Sequence, residues 1–120
     1  MKHIQVFNAK GETLLSRVKW CDTLLSRLRG LTLRPALAPE EGLILVETRP
    51  GIATTSIHMF FVSFPIAAIW LDDDRRVVHT AFAQPWRPYY APPRPARYVL
   101  EGPPWLLDRV AVGDVLKFEE

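Results

Sequence analysis

The sequence predicts a mainly β domain bordering on α+β. It would be a compact, rolled antiparallel sheet or small β-barrel with one packed helix near residues 22–31. Three observations point there. The apolar residues fall mostly in short runs of strand length, closed by turn residues. Only one segment carries helical periodicity. Strands therefore outnumber the helices that could act as crossovers, which favours antiparallel pairing over a doubly wound parallel sheet. The 120 residues are read as a single domain, 1–120, long enough to fold without disulfide or metal.

The elements follow in order. Ile4 and Val6 alternate within residues 3–7, and Asn8-Ala9-Lys10-Gly11 is turn chemistry. In residues 14–20, Leu14, Val18 and Trp20 share one face and Arg17 and Lys19 the other, with Ser16 interrupting the apolar side, so the two segments are expected to pair as a hairpin. Asp22 is the expected helix N-cap, because its carboxylate can accept from the open backbone donors. Leu24, Leu25, Leu28 and Leu31 form an i, i+1, i+4, i+7 stripe that should pack the helix, with Arg27 and Arg29 on its borders. Gly30 suits the helix end, and Pro35 limits continuation.

A Pro-punctuated loop, 34–42, precedes a strand over 43–46, and a second loop leads to a strand over 56–62. Residues 66–71 are almost wholly apolar, the mark of a central strand buried on both faces. Asp72-Asp73-Asp74 turns the chain into a partner strand over 76–82. A short strand at 98–100 follows, then a helical turn opened by Pro103-Pro104 and a last strand over 115–118.

Composition excludes several classes. Apolar residues make up 48% and charged residues 23%, so this is no disordered chain. A net charge of +2 gives no polyelectrolyte character, which argues against nucleic acid as a partner. Residues 50–71 are too polar, and too broken by Pro65, to cross a membrane as a helix. The opening MKHIQVFNAKGE lacks the apolar core of a secretory signal, so a soluble, cytoplasmic protein without membrane attachment is expected. Cys21 is the one cysteine and has no CxxC partner, so it reads as a small buried hydrophobe.

Several strings occur in a telling order. They are Arg27-Leu28-Arg29-Gly30-Leu31, Glu41-Gly42-Leu43-Ile44-Leu45, Ile57-His58-Met59-Phe60-Phe61, Phe64-Pro65-Ile66, Leu71-Asp72 with Val77-Val78, Tyr98-Val99-Leu100-Glu101-Gly102 and Gly113-Asp114-Val115. Their order and spacing resemble the family called domain of unknown function 192, from about Leu14 to Phe118. The resemblance implies a compact, mostly β domain and no established activity, substrate or cofactor. Two departures stand out. Ala67 occupies a position that is often Asp in the family, and Pro103-Pro104 follow Gly102 where a small or polar segment is usual.

Two constellations are candidates for function. Arg27, His58 and Glu101, with Asp114 beside them, fall in those shared strings. They suit a polar pocket in which Arg27 grips an anion and His58 and Glu101 exchange protons, or an ion pair of Arg27 with Glu101 plus a satisfied core histidine. The second is the acid-free stretch from Arg75 to Leu100, with QPWRPYYAPPRPAR at its centre. There Trp86, Tyr89, Tyr90 and Arg94 sit on a stiff Pro-rich loop that could bind a ligand or pack back on the barrel. Asp72-Asp73-Asp74 lacks the spacing of a calcium loop, and Cys21, His3, His58 and His79 lack zinc-motif spacing, so no metal or cofactor is expected. Thr54-Thr55-Ser56 has no nucleophile elbow around it. The sequence therefore favours a binding or accessory module for a small anionic ligand or a protein partner. The alternatives are a small enzyme using His58 and Glu101, or a polyanion binder.

Overall fold

The computed structural model describes residues 2–120. Seven strands form one sheet: β1 (His3–Phe7), β2 (Thr13–Cys21), β3 (Glu41–Gly51), β4 (Ile66–Leu71), β5 (Val77–Ala83), β6 (Ala96–Gly102) and β7 (Lys117–Glu119). The order across the sheet is β5-β4-β6-β3-β2-β1-β7. All pairs are antiparallel except β2 with β3, which run parallel with Trp20 opposite Ile44. That pair is joined through α1 (Leu24–Arg29) and the 30–40 loop, the one parallel crossover among the described residues.

The sheet curls until its two edges meet at one end. Val77 N–H donates to Asp114 O at 2.8 Å, Gly113 N–H to Val77 O at 2.8 Å, and Leu116 N–H to Arg75 O at 3.0 Å. The remainder of the β5 and β7 edges is unjoined, so the mainly β, rolled-sheet reading is the observed architecture as a partly closed barrel.

Pleating separates two cores. Leu15, Ile44, Ile69, Leu100, Leu106 and Leu116 fill the first. The opposite face carries Cys21, Leu43 and Ile66 in one cluster and Ala68, Trp70 and Val99 in another. Every residue of β4 is buried, as its unbroken apolar run predicts. Loops and α1 cover the second face. A buried bond from Trp70 Nε1 to Thr55 O, 2.7 Å, fastens the 3₁₀ turn Ala53–Thr55 against that face.

The structure corrects three expectations. The N-cap is Thr23, whose hydroxyl accepts from Ser26 N–H at 3.1 Å while Ser26 Oγ accepts from Thr23 N–H, a capping box; Asp22 lies outside it. The leucine stripe does not pack the helix: Leu24, Leu25 and Leu28 are 67, 78 and 66% exposed, and only Leu31, past the helix end, is buried. The helix buries Ser26 instead, and Arg27 ties it to polar backbone, at Asp22 O just past β2 and at Val46 O within β3. Residues 56–62 are no strand. Ile57 pairs singly with Tyr90, Met59 N–H donates to Arg87 O at 2.7 Å, and Phe61 turns the chain with φ 61°. Their partner is the Pro-rich loop, whose prolines lack the donors to extend a ladder.

Candidate functional site

The second face of the sheet does not lie fully beneath its cover. A cleft of about 240 Å³ opens between β3 and β6 on one side and α1 with residues 54–59 on the other. Leu45, Ile66 and Val99 give it an apolar floor, and Leu31, Ile57, Met59 and Val62 line its walls. Into this floor β6 projects Glu101, on the same pleat as Val99.

Glu101 is 6% exposed. Among the described residues no hydrogen bond and no ion pair reaches its carboxyl group. No side-chain oxygen or nitrogen there is sealed without a partner, so the carboxyl keeps its sliver of free surface, and that surface opens on the cleft it lines. Burial, with no compensating charge or donor, pushes its pKa up from 4.5 to about 7. The neighbouring Cys21 thiol is also pushed up, first by burial and in part by the Glu101 charge, and is buried and inert.

Arg27 does not pair with Glu101. Its Nε lies 2.7 Å from Glu47 Oε2, and its Nη1 donates to Asp22 O at 2.9 Å and Val46 O at 3.1 Å. Glu47 in turn offers its carbonyl to Arg97 Nε at 3.0 Å. Arg27 and Glu47 thus form a fixed, internally neutral wall of the cleft. Glu47 went unrecognised in the sequence. The alternation Leu43, Leu45, Glu47 in β3 was the available signal, since it puts the carboxylate on the helix-facing side.

His58 lines the cleft from its mouth and is exposed, so it is not a core histidine. Its Nδ1 accepts from Phe60 N–H at 3.2 Å, which leaves Nε2 as the protonated nitrogen of the neutral ring. Asp114 is elsewhere, capping a turn by accepting from Ala111 N–H at 2.9 Å.

The Pro-rich loop divides. Tyr90 folds inward, packs on the second face, and accepts from Gln84 N–H at 2.9 Å. Tyr89 stays exposed, its hydroxyl 3.1 Å from Ser56 Oγ on the cleft wall. Trp86 is exposed and edge-on to Phe61 at 5.2 Å; both aromatics hold positive φ. Arg94 is exposed. Arg27, His58 and Glu101 therefore share one cleft, whereas Trp86, Tyr89, Tyr90 and Arg94 do not line it, Tyr89 coming nearest through Ser56.

Three arginines of the acid-free stretch are engaged within the fold. Arg75 stacks over Phe118 at 4.4 Å, Arg76 donates to Gly113 O at 3.0 Å, and Arg97 reaches Glu47 O and Asp73. Asp72 Oδ1 accepts from Asp74 and Arg76 N–H, an ordinary hairpin turn. No group of three or more metal-ligating side chains occurs among the described residues. No helix there is long and apolar enough to cross a membrane.

The DUF192 family profile, described as "Uncharacterized ACR", matches residues 5–118. A UPF0127 protein of Thermococcus kodakarensis is 40% identical over 111 residues, covering 91% of this chain and 69% of its own length. One from Pyrococcus furiosus is 33% identical, with 91% and 92% covered. Among crystal structures, a protein of unknown function from Novosphingobium aromaticivorans superposes with TM-score 0.83 at 26% identity, covering 96% of this chain and 83% of that one. A candidate transcription regulator from Sinorhizobium meliloti has the same TM-score at 22% identity, covering 97% and 92%, a likeness of fold.

Proposed function

The chain belongs to the DUF192 family, and we propose that it serves as a binding or accessory module that takes a small ligand into the cleft above Glu101. One observation carries this reading: a carboxyl group is buried in an apolar floor with no partner on the described residues, yet opens on a cleft. Burying such a group unsatisfied costs about 1–3 kcal/mol, and a ligand donor seated there would offset it. At about 240 Å³ the cleft falls just below the roughly 300–1,000 Å³ of drug-sized pockets, so the ligand is small. Arg27 and Glu47 fix one wall. Of the loop residues Trp86, Tyr89, Tyr90 and Arg94, Tyr89 is the one tied to the cleft wall, through Ser56. The lone buried Cys21 suits a reducing compartment, and we place the module in the cytoplasm.

A second reading is a small enzyme with Glu101 as general acid/base and His58 assisting. It is favoured by a carboxyl poised near neutral pH, where proton transfer in either direction is most effective.

The test is a fragment screen by methyl NMR on the whole chain, using small amines, alcohols, amides, sugars and carboxylates. Fragments that shift the Leu31, Val99 and Met59 methyls in the native protein but not in Glu101→Gln support the reading. A protein whose cleft methyls respond to no fragment contradicts it.

A further inference from the structure

Every charge on the cleft has a place that limits what can enter. From β3 comes Glu47, and from α1 comes Arg27; these two neutralise each other at 2.7 Å. Arg29 lies at the mouth, exposed and without an ion pair among the described residues. His58 is likewise exposed at the rim. The one charge left deep in the apolar floor is the Glu101 carboxylate. Arg27, read from the sequence as an anion grip, is committed to Glu47 and to two backbone carbonyls, and an anion brought to the floor would meet Glu101 with no free cation beside it.

We propose that the cleft takes a primary ammonium group on a short apolar body, with the nitrogen against the Glu101 carboxylate and the body lying on Leu31, Met59, Val62 and Val99. This deepens the binding reading and rests on it. The ammonium head is compact and carries three donors, so it can satisfy a carboxylate that the fold leaves without any. The Leu31, Met59, Val62 and Val99 side chains are aliphatic or thioether, which suits a methylene chain, and the Thr55 and Ser56 hydroxyls on the wall already donate to Gly51 O and Ile52 O. Beyond the lip, exposed Leu24 and Leu28 extend the apolar track outward. A free alkylamine and a lysine side chain presented by a peptide share this chemistry.

The experiment compares n-hexylammonium, hexanoate and 1-hexanol by methyl NMR titration of the native chain, at a pH one unit or so above the titration of Glu101 near 7. The expected result is binding of hexylammonium roughly tenfold to a hundredfold tighter than either analogue, the range of a charge-assisted hydrogen bond. The same loss is expected for hexylammonium on Glu101→Gln. Hexanoate binding tightest, or hexanol matching the amine, overturns the ammonium proposal while leaving a ligand cleft in place. Failure of all three to shift the Leu31, Met59 and Val99 methyls overturns the binding reading with it. The series on the unmodified protein decides the matter even if the variant folds poorly. Nα-acetyl-lysine methylamide, added as a fourth probe, separates the sources: binding equal to hexylammonium assigns the cleft to protein-borne lysine, and weaker binding assigns it to a free amine.

Discussion

Replacing Glu101 by glutamine should stabilise the protein, and by an amount that grows with pH. In the unfolded chain the carboxyl ionises near 4.5; in the folded protein burial delays this to about 7. Between those values the native state holds a proton that the unfolded state has lost, so stability falls as pH rises and levels off above about 7. The gap of about 2.5 units corresponds to about 3 kcal/mol. Glutamine has the same shape, stays neutral and cannot titrate. At pH near 4.5 the two proteins should therefore be about equally stable, and near pH 8 the variant should lead by about 3 kcal/mol, or roughly 10 °C in Tm for a domain this size. Urea unfolding of both proteins from pH 4 to 8 measures it, and all other titrating groups cancel in the difference. Two parallel stability curves would refute the reasoning, because they would mean that Glu101 is solvated or paired in solution.

The other predictions concern the walls and the frame. Arg27→Met should cost about 2 kcal/mol in urea unfolding, since it strands the Glu47 carboxylate and two carbonyls at a site only partly open to water. Leu31→Ala should cost about 3 kcal/mol, whereas Leu25→Lys should change stability by less than about 0.5 kcal/mol; equal costs would restore the packed leucine stripe. Gly42→Ala should cost about 2 kcal/mol by thermal unfolding, because a Cβ there would stand 2.6 Å from the Glu101 carbonyl oxygen, which is backbone and cannot yield cheaply. Tyr90→Phe should lose about 1 kcal/mol with the Gln84 hydrogen bond, and Trp86→Ala less than Tyr90→Ala, since Trp86 is exposed.

The sheet was legible where local pattern suffices. Burial on both faces leaves an unbroken apolar run, so β4 could be placed, and the β1–β2 hairpin followed from adjacency and turn residues. The parallel β2–β3 pair was not legible, because which strand pairs with which depends on contacts far apart in sequence. Residues 56–62 misled because Ile57, Met59 and Val62 are apolar for packing under a loop, not for a ladder. The helix misled differently. Periodicity shows which residues share a face, not which side the core is on, and a six-residue helix held by Ser26 and Arg27 can leave its leucines outside. Its place in a shared string, and the need of Arg27 for a carboxylate, marked Glu101. Its supposed partner was wrong because Glu47 lies nearer to Arg27 across the helix–sheet contact. The glycines of two shared strings have a structural cause: Gly42 abuts the Glu101 backbone, and Gly102 abuts the Leu106 side chain. Those strings thus serve the frame and the cleft together.

The most direct measurement follows the Glu101 side-chain carboxyl carbon by NMR as pH is raised, first in the free protein and then with saturating hexylammonium. The account predicts a midpoint near 7 in the free protein and a marked drop when the amine is bound, as the ammonium stabilises the charged form. A midpoint near 4.5 that the amine leaves unmoved would contradict it, since the carboxyl would then be neither buried without a partner nor the floor of the binding cleft.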